Sequence, residues 1–160
     1  MGIFLSGRDK IDLLTAGLYW LSQIVGAFIA AGICYGVAVD AGFPAGYPGV
    51  NTAMDVNPGT AFLVEIMFTF LLVIVVLNVA TTKANNGNSF YGLAIGLTVT
   101  ASAFAIGKIS GCALNPAVGT ALPAVHGVGR DIWIYWLGPL IGATLASGFF
   151  YLTVDPSEFQ

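Results

Sequence analysis

The chain has 160 residues, of which 57% are hydrophobic and only 8% charged, and its formal net charge is −3. A water-soluble domain carries about a quarter charged residues, so this composition cannot cover a soluble globule and places the chain in a bilayer. The slight acidic balance leaves no basic patch for nucleic acid. Two cysteines and one histidine offer no ligand set at metal spacing, and no cofactor is called for.

A spanning helix needs about 20 mostly apolar residues. In chain order, the first such run covers 13–39, with Gln23 its only strongly polar residue. The opening MGIFLSGRDK before it is charged too early to be a signal peptide. The second run covers 61–80 and holds one carboxylate, Glu65. The third, weaker, covers 89–106, and the fourth covers 132–154. Trp133, Tyr135 and Trp136 open the fourth, as Tyr19 and Trp20 sit near the start of the first, in the manner of an interfacial aromatic belt. Four spans put both termini on one face. Arg8, Lys10 and Lys83 fall on that face against Lys108 and Arg130 on the other, so the termini are expected to be cytoplasmic. Gly92 and Gly96, and Gly138, Gly142 and Ala146, recur at the four-residue spacing that lets helix backbones approach closely in lipid.

Between the third and fourth spans lies GKISGCALNPAVGTALPAV, residues 107–125. The glycines at 107 and 111 are expected to end the third span. Asn115 is a favoured helix cap and Pro116 suits the first helical position, so a short helix is predicted over 115–123. At about 1.5 Å per residue it reaches only halfway through a bilayer. Irregular backbone at membrane depth is tolerated only where protein or a water-filled cavity satisfies it, so this stretch predicts a re-entrant half-helix beside a conduit. The carbonyls of Ile109, Ser110, Gly111, Cys112 and Ala113 would line the approach. The other reading is an extramembrane loop with an Asn-Pro turn.

ISGCALNPAV resembles the second Asn-Pro-Ala signature of the aquaporins and aquaglyceroporins, the major intrinsic proteins. LYWLSQIVGAFIAAG, VEIMFTFLLVIVVL, GLAIGLTVTA and IYWLGPLIGA are similar, in order, to that family's third to sixth helices. The resemblance implies an all-α membrane bundle of four transmembrane helices plus one re-entrant half-helix, in a single partial domain over 1–160. The family's first two helices and first half-helix are expected to lie outside this chain, which is therefore expected not to conduct alone. Asn57-Pro58-Gly59 leads into a full-length span and reads as a helix cap rather than as a second copy of the motif.

The resemblance further implies passive flow of water or of small neutral solutes such as glycerol, urea, ammonia and peroxide, with a homotetramer as the assembly of the intact parent. Asn115, Pro116 and Ala117 form the pore motif. The selectivity filter falls on Ala103, Cys112 and Val118, the last standing where many members carry Arg but plant tonoplast-type members do not. Such an apolar ring is expected to discriminate weakly among solutes. Glu65 is implied to hold the re-entrant loop, since an intramembrane carboxylate faces the bundle interior. His126 reads as a loop residue. Two rival readings are a non-conducting membrane subunit and part of a secondary transporter. No nucleophile–base pair supports an enzyme.

Overall fold

The computed structural model describes residues 1–8, 10–42, 46–51 and 54–159. A short helix α1 (Gly2–Leu5) precedes the long helices α2 (Leu13–Asp40), α3 (Pro58–Thr81) and α4 (Tyr91–Ser110). The ten-residue α5 (Pro116–Val125), the long α6 (Ile132–Thr153) and a 3-10 turn at Pro156–Phe159 follow. The four long helices are long and apolar enough to cross a membrane. The chain is thus an all-α, multi-pass membrane bundle.

Local chemistry sets most of the helix starts. The Asp12 carboxylate accepts the Thr15 N–H at 2.7 Å to open α2. Asn57 accepts the Gly59 N–H at 2.7 Å ahead of Pro58 to open α3. Asn88 accepts the N–H groups of Phe90 and Tyr91 at 3.1 and 2.8 Å before α4. Each side chain satisfies donors that the first helical turn leaves without partners.

The end of α4 departs from expectation. The helix does not break at Gly107 but continues to Ser110 and stops at Gly111, which is left-handed with φ +85°. Carbonyls that this end leaves free are taken by the chain between α2 and α3. The Asn51 side-chain amide donates to the Lys108 carbonyl at 2.8 Å, the Asn51 N–H to Ile109 at 3.2 Å and the Gly49 N–H to Ser110 at 3.1 Å.

The long helices pack chiefly through α3 against α6, with α4 on α3, α2 on α5 and α5 on α6. Lipid gives helices no hydrophobic reason to associate, so close backbone approach matters most. A carbon added at Gly142 would overlap the Ile66 carbonyl and crowd Phe70 N at 3.0 Å; at Gly138 it would meet Glu65 Cβ at 3.0 Å. Ala146 continues the same contact and is fully buried. Gly92 and Gly96 behave differently from the sequence expectation: a carbon at either meets nothing within 4 Å. That pair lies on a face of α4 that no described element covers.

Replacing Gly142 with Ala should therefore lower the unfolding free energy by about 1–3 kcal/mol, because the obstruction is backbone that cannot move aside. Gly148→Ala on the same helix meets open space and should instead stabilise by up to about 1 kcal/mol through helix propensity. Thermal unfolding in detergent, followed by circular dichroism, measures both.

Candidate functional site

The turn between α4 and α5 is tightly constrained backbone. Gly111, Cys112 and Leu114 all have positive φ, at +85°, +54° and +51°. Gly111 is required twice, for its φ and because a Cβ there would collide with Pro48 Cα. Cys112 and Leu114 bear side chains in a conformation that costs of order 1 kcal/mol or more each. The compensation comes from Glu65 on α3, which is fully buried. Its Oε1 accepts from the Ser110 hydroxyl at 2.6 Å and the Ala113 N–H at 3.0 Å, and its Oε2 accepts from the Leu114 N–H at 2.8 Å. Ser110 Oγ in turn accepts the Cys112 N–H at 3.2 Å. A buried carboxylate needs such donors to offset its desolvation, and the turn needs the acceptor to hold its shape.

From this turn α5 starts. Ten residues rise about 15 Å, half of a hydrocarbon core about 30 Å thick. Gly119 presses against the Tyr135 ring so closely that no side chain fits between them. The same tyrosine donates its hydroxyl to the Ser110 carbonyl at 2.6 Å, and Trp136 donates its indole N–H to Thr120 Oγ1 at 2.8 Å. α6 thus fixes both the turn and the half-helix.

Asn115 caps α5. Its side-chain oxygen accepts the Ala117 N–H at 2.9 Å, and its Nδ2 points across to Gln23 Oε1 on α2 at 3.4 Å. The cap settles which way the amide faces: the oxygen is used internally and the two N–H donors face outward. They face a groove of about 420 Å³ whose walls include Trp20, Gln23, Leu114, Pro116, Trp136 and Pro139. Thr69 Oγ1, in the same wall, is buried without a hydrogen-bond partner among the described residues.

Other site residues from the sequence are placed as follows. The carbonyls of Ile109 and Ser110 already accept hydrogen bonds at the end of α4, Ile109 from the Asn51 N–H and Ser110 from the Gly49 N–H and the Tyr135 hydroxyl. Among the described residues no donor reaches the carbonyls of Gly111, Cys112 and Ala113. Val118 packs half-buried against the cluster of Ala61, Ala113, Ile134 and Tyr135. Ala103 is exposed on α4, and Cys112 is half-buried in the turn. Gln23 is the residue whose part the sequence left open: a lone polar side chain in an apolar span was the signal, and its partner is Asn115. His126, at the far end of α5, bonds the Leu122 carbonyl through Nδ1 at 2.7 Å and lies between the Tyr35 and Tyr47 rings.

The sequence model of the Major intrinsic protein family matches residues 1–151. The chain belongs to this family. Among curated proteins it is 38% identical over 164 residues to Aquaporin A of Dictyostelium discoideum, covering 98% of this chain and 55% of that protein. It is 32% identical over 155 residues to Aquaporin-5 of Sus scrofa, covering 95% and 57%. With the probable aquaporin TIP3-2 of Oryza sativa subsp. japonica the figures are 35% over 146 residues, 91% and 53%. This member of the family therefore spans about half the length of the curated relatives it matches. The X-ray structure of the aquaglyceroporin from Plasmodium falciparum superposes with a TM-score of 0.79 at 22% identity, covering 96% of this chain and 70% of that one, which establishes the shared fold.

Glu65→Ala should destabilise the chain by about 3–5 kcal/mol, since it leaves three buried donors unmet. Glu65→Gln turns one acceptor into a donor facing another donor and should cost nearly as much. Ser110→Ala removes the charge-assisted bond to Glu65 together with the acceptor of the Cys112 N–H, leaves the two backbone donors to Glu65 in place, and should cost about 1.5–3 kcal/mol. Detergent-unfolding midpoints for the three variants test that order.

Proposed function

We propose that this chain forms part of the wall of a channel for passive flow of water and small neutral solutes. The observation that carries the reading is Asn115: at the N-terminal tip of a half-helix, at membrane depth, it turns only donors toward a groove, one N–H shared with Gln23 and one free, and no free acceptor. A passing water or hydroxyl must turn its oxygen toward that amide, while the positive end of the helix repels cations. An oriented water accepting from Asn115 cannot pass a proton straight along the file. The free carbonyls of Gly111, Cys112 and Ala113 supply the acceptors for the approach, a complementary row of groups rather than a single binding site.

Cys112 and Ala103, with Val118 half withdrawn into the core, offer no charged or strongly donating group to the narrow part of the path. The reading therefore includes glycerol, urea, ammonia or peroxide among the permeants. The groove beside Asn115 is open along one side among the described residues, so a closed conduit needs a further polypeptide wall. The reading includes a homotetramer, supported by the long exposed apolar faces of α2 and α4, with Gly92 and Gly96 uncovered on one of them.

Stopped-flow swelling of vesicles carrying the product of the complete gene tests the proposal. Water flux well above empty vesicles, together with flux of at least one of those solutes, is expected. Water flux with none of them would refute the loose filter, and no flux at all would refute the channel. A mercurial reagent should block flux through Cys112, and Cys112→Ser should abolish the block.

A further inference from the structure

Away from the groove, three distant segments meet around one ion pair. Arg8 Nη1 lies 3.3 Å from Glu158 Oε2, and the two side chains are 1% and 6% exposed. Glu158 sits in the 3-10 turn that follows α6. Both of its oxygens lie 2.8 Å from the Lys83 N–H, and Oε1 lies 3.2 Å from the Ala84 N–H. Those N–H groups open the loop from α3 to α4. The Lys83 ammonium donates back to the Ser157 carbonyl at 2.9 Å. Arg8 covers the Phe150 ring at 4.5 Å, donates to the Thr81 carbonyl at 2.9 Å and also bonds the Thr81 hydroxyl. The arginine thereby closes the end of α3, and the glutamate fastens the first residues beyond it.

We infer that Glu158 and Arg8 form a latch by which the C-terminal turn holds the α3–α4 loop, and that the latch opens locally while the helical bundle stays folded. Two observations separate latch from bundle. The glutamate's backbone donors belong to the loop rather than to the α3–α6 contact, and the loop's other ties include short-range asparagine bonds back to the last turn of α3, such as Asn85 to the Asn78 carbonyl at 2.9 Å and Asn88 to the Val79 carbonyl at 2.7 Å. The loop also forms one wall of a cleft of about 450 Å³ shared with Lys10 and Tyr91. Opening the latch frees that wall to move.

Protonation is one way to open it. Among the described residues, the charged and titratable groups around Glu158 are Arg8 from the N-terminal segment, Lys83 from the loop, and Asp155 and Tyr151 from the tail and the end of α6. The Lys83 N–H, then the Ala84 N–H and the charges of Arg8 and Lys83, hold the Glu158 carboxyl below its ordinary value, against an opposing push from burial. A lowered carboxyl contributes its stabilisation at neutral pH and loses it as pH falls through the lowered value, so acid opens the latch.

Amide hydrogen exchange on the full chain in lipid nanodiscs tests the inference. In Glu158→Ala, exchange at Lys83 and Ala84 should rise by roughly tenfold or more, with the amides of α3 and α6 unchanged. Lowering the pH of the unmodified chain should produce the same pattern once intrinsic exchange is corrected for, and serves if the variant folds poorly. Arg8→Gln should give a smaller rise at the same two amides. Unchanged exchange at Lys83 and Ala84 would overturn the latch; equal acceleration across α3 and α6 would overturn its independence of the bundle.

Discussion

One buried carboxylate holds the functional half of this molecule in place. Glu65 is fully enclosed, and its oxygens take the hydroxyl of Ser110 and the N–H groups of Ala113 and Leu114. Without those donors a charge at that depth is costly. Without that acceptor, a turn with side-chain-bearing residues at positive φ has nothing to hold it. Each half of the arrangement offsets the cost of the other, and α5 can begin where it does only because both are present.

The chemistry follows from that placement. In the proposed placement α5 starts inside the bilayer, which points the positive end of its dipole into the interior, and its capping asparagine turns only donors outward. The turn before it presents carbonyls. Donors at the tip and acceptors along the approach are what a polar but uncharged solute needs in place of its hydration shell. Nothing in the arrangement requires a titrating group or a bound ion. The α6 helix completes the mounting: Tyr135 and Trp136 each donate a hydrogen bond to the turn or the half-helix, and Gly119 lets them come close.

The sequence carried what is local. Apolar runs of spanning length gave the four long helices, and Asn115-Pro116 marked the start of α5, because length, hydropathy and capping depend on neighbouring residues. What depends on distant partners was not legible. Gly107 and Gly111 look alike in the sequence, yet only Gly111 ends α4, since Gly49, Asn51 and Tyr135 supply partners up to Ser110. For the same reason two of the five carbonyls expected to line the approach are used elsewhere. Glycine spacing showed where close packing was possible but not which face met a neighbour: Gly138 and Gly142 are used, Gly92 and Gly96 are not. Gln23 stood out as polar in an apolar span, while its partner lies 92 positions away. Arg8 and Glu158, 150 positions apart, gave no sequence signal at all.

The most direct test of this account is the distance between the Leu114 amide nitrogen and the Glu65 side-chain carboxyl carbon, measured by solid-state NMR dipolar recoupling in bilayers. A hydrogen-bonded carboxylate places the two within about 4 Å, and that is the result expected. A separation well beyond hydrogen-bonding range in a folded chain would mean that the turn is held by something else, and the position of Asn115 in the bilayer would lose its physical basis.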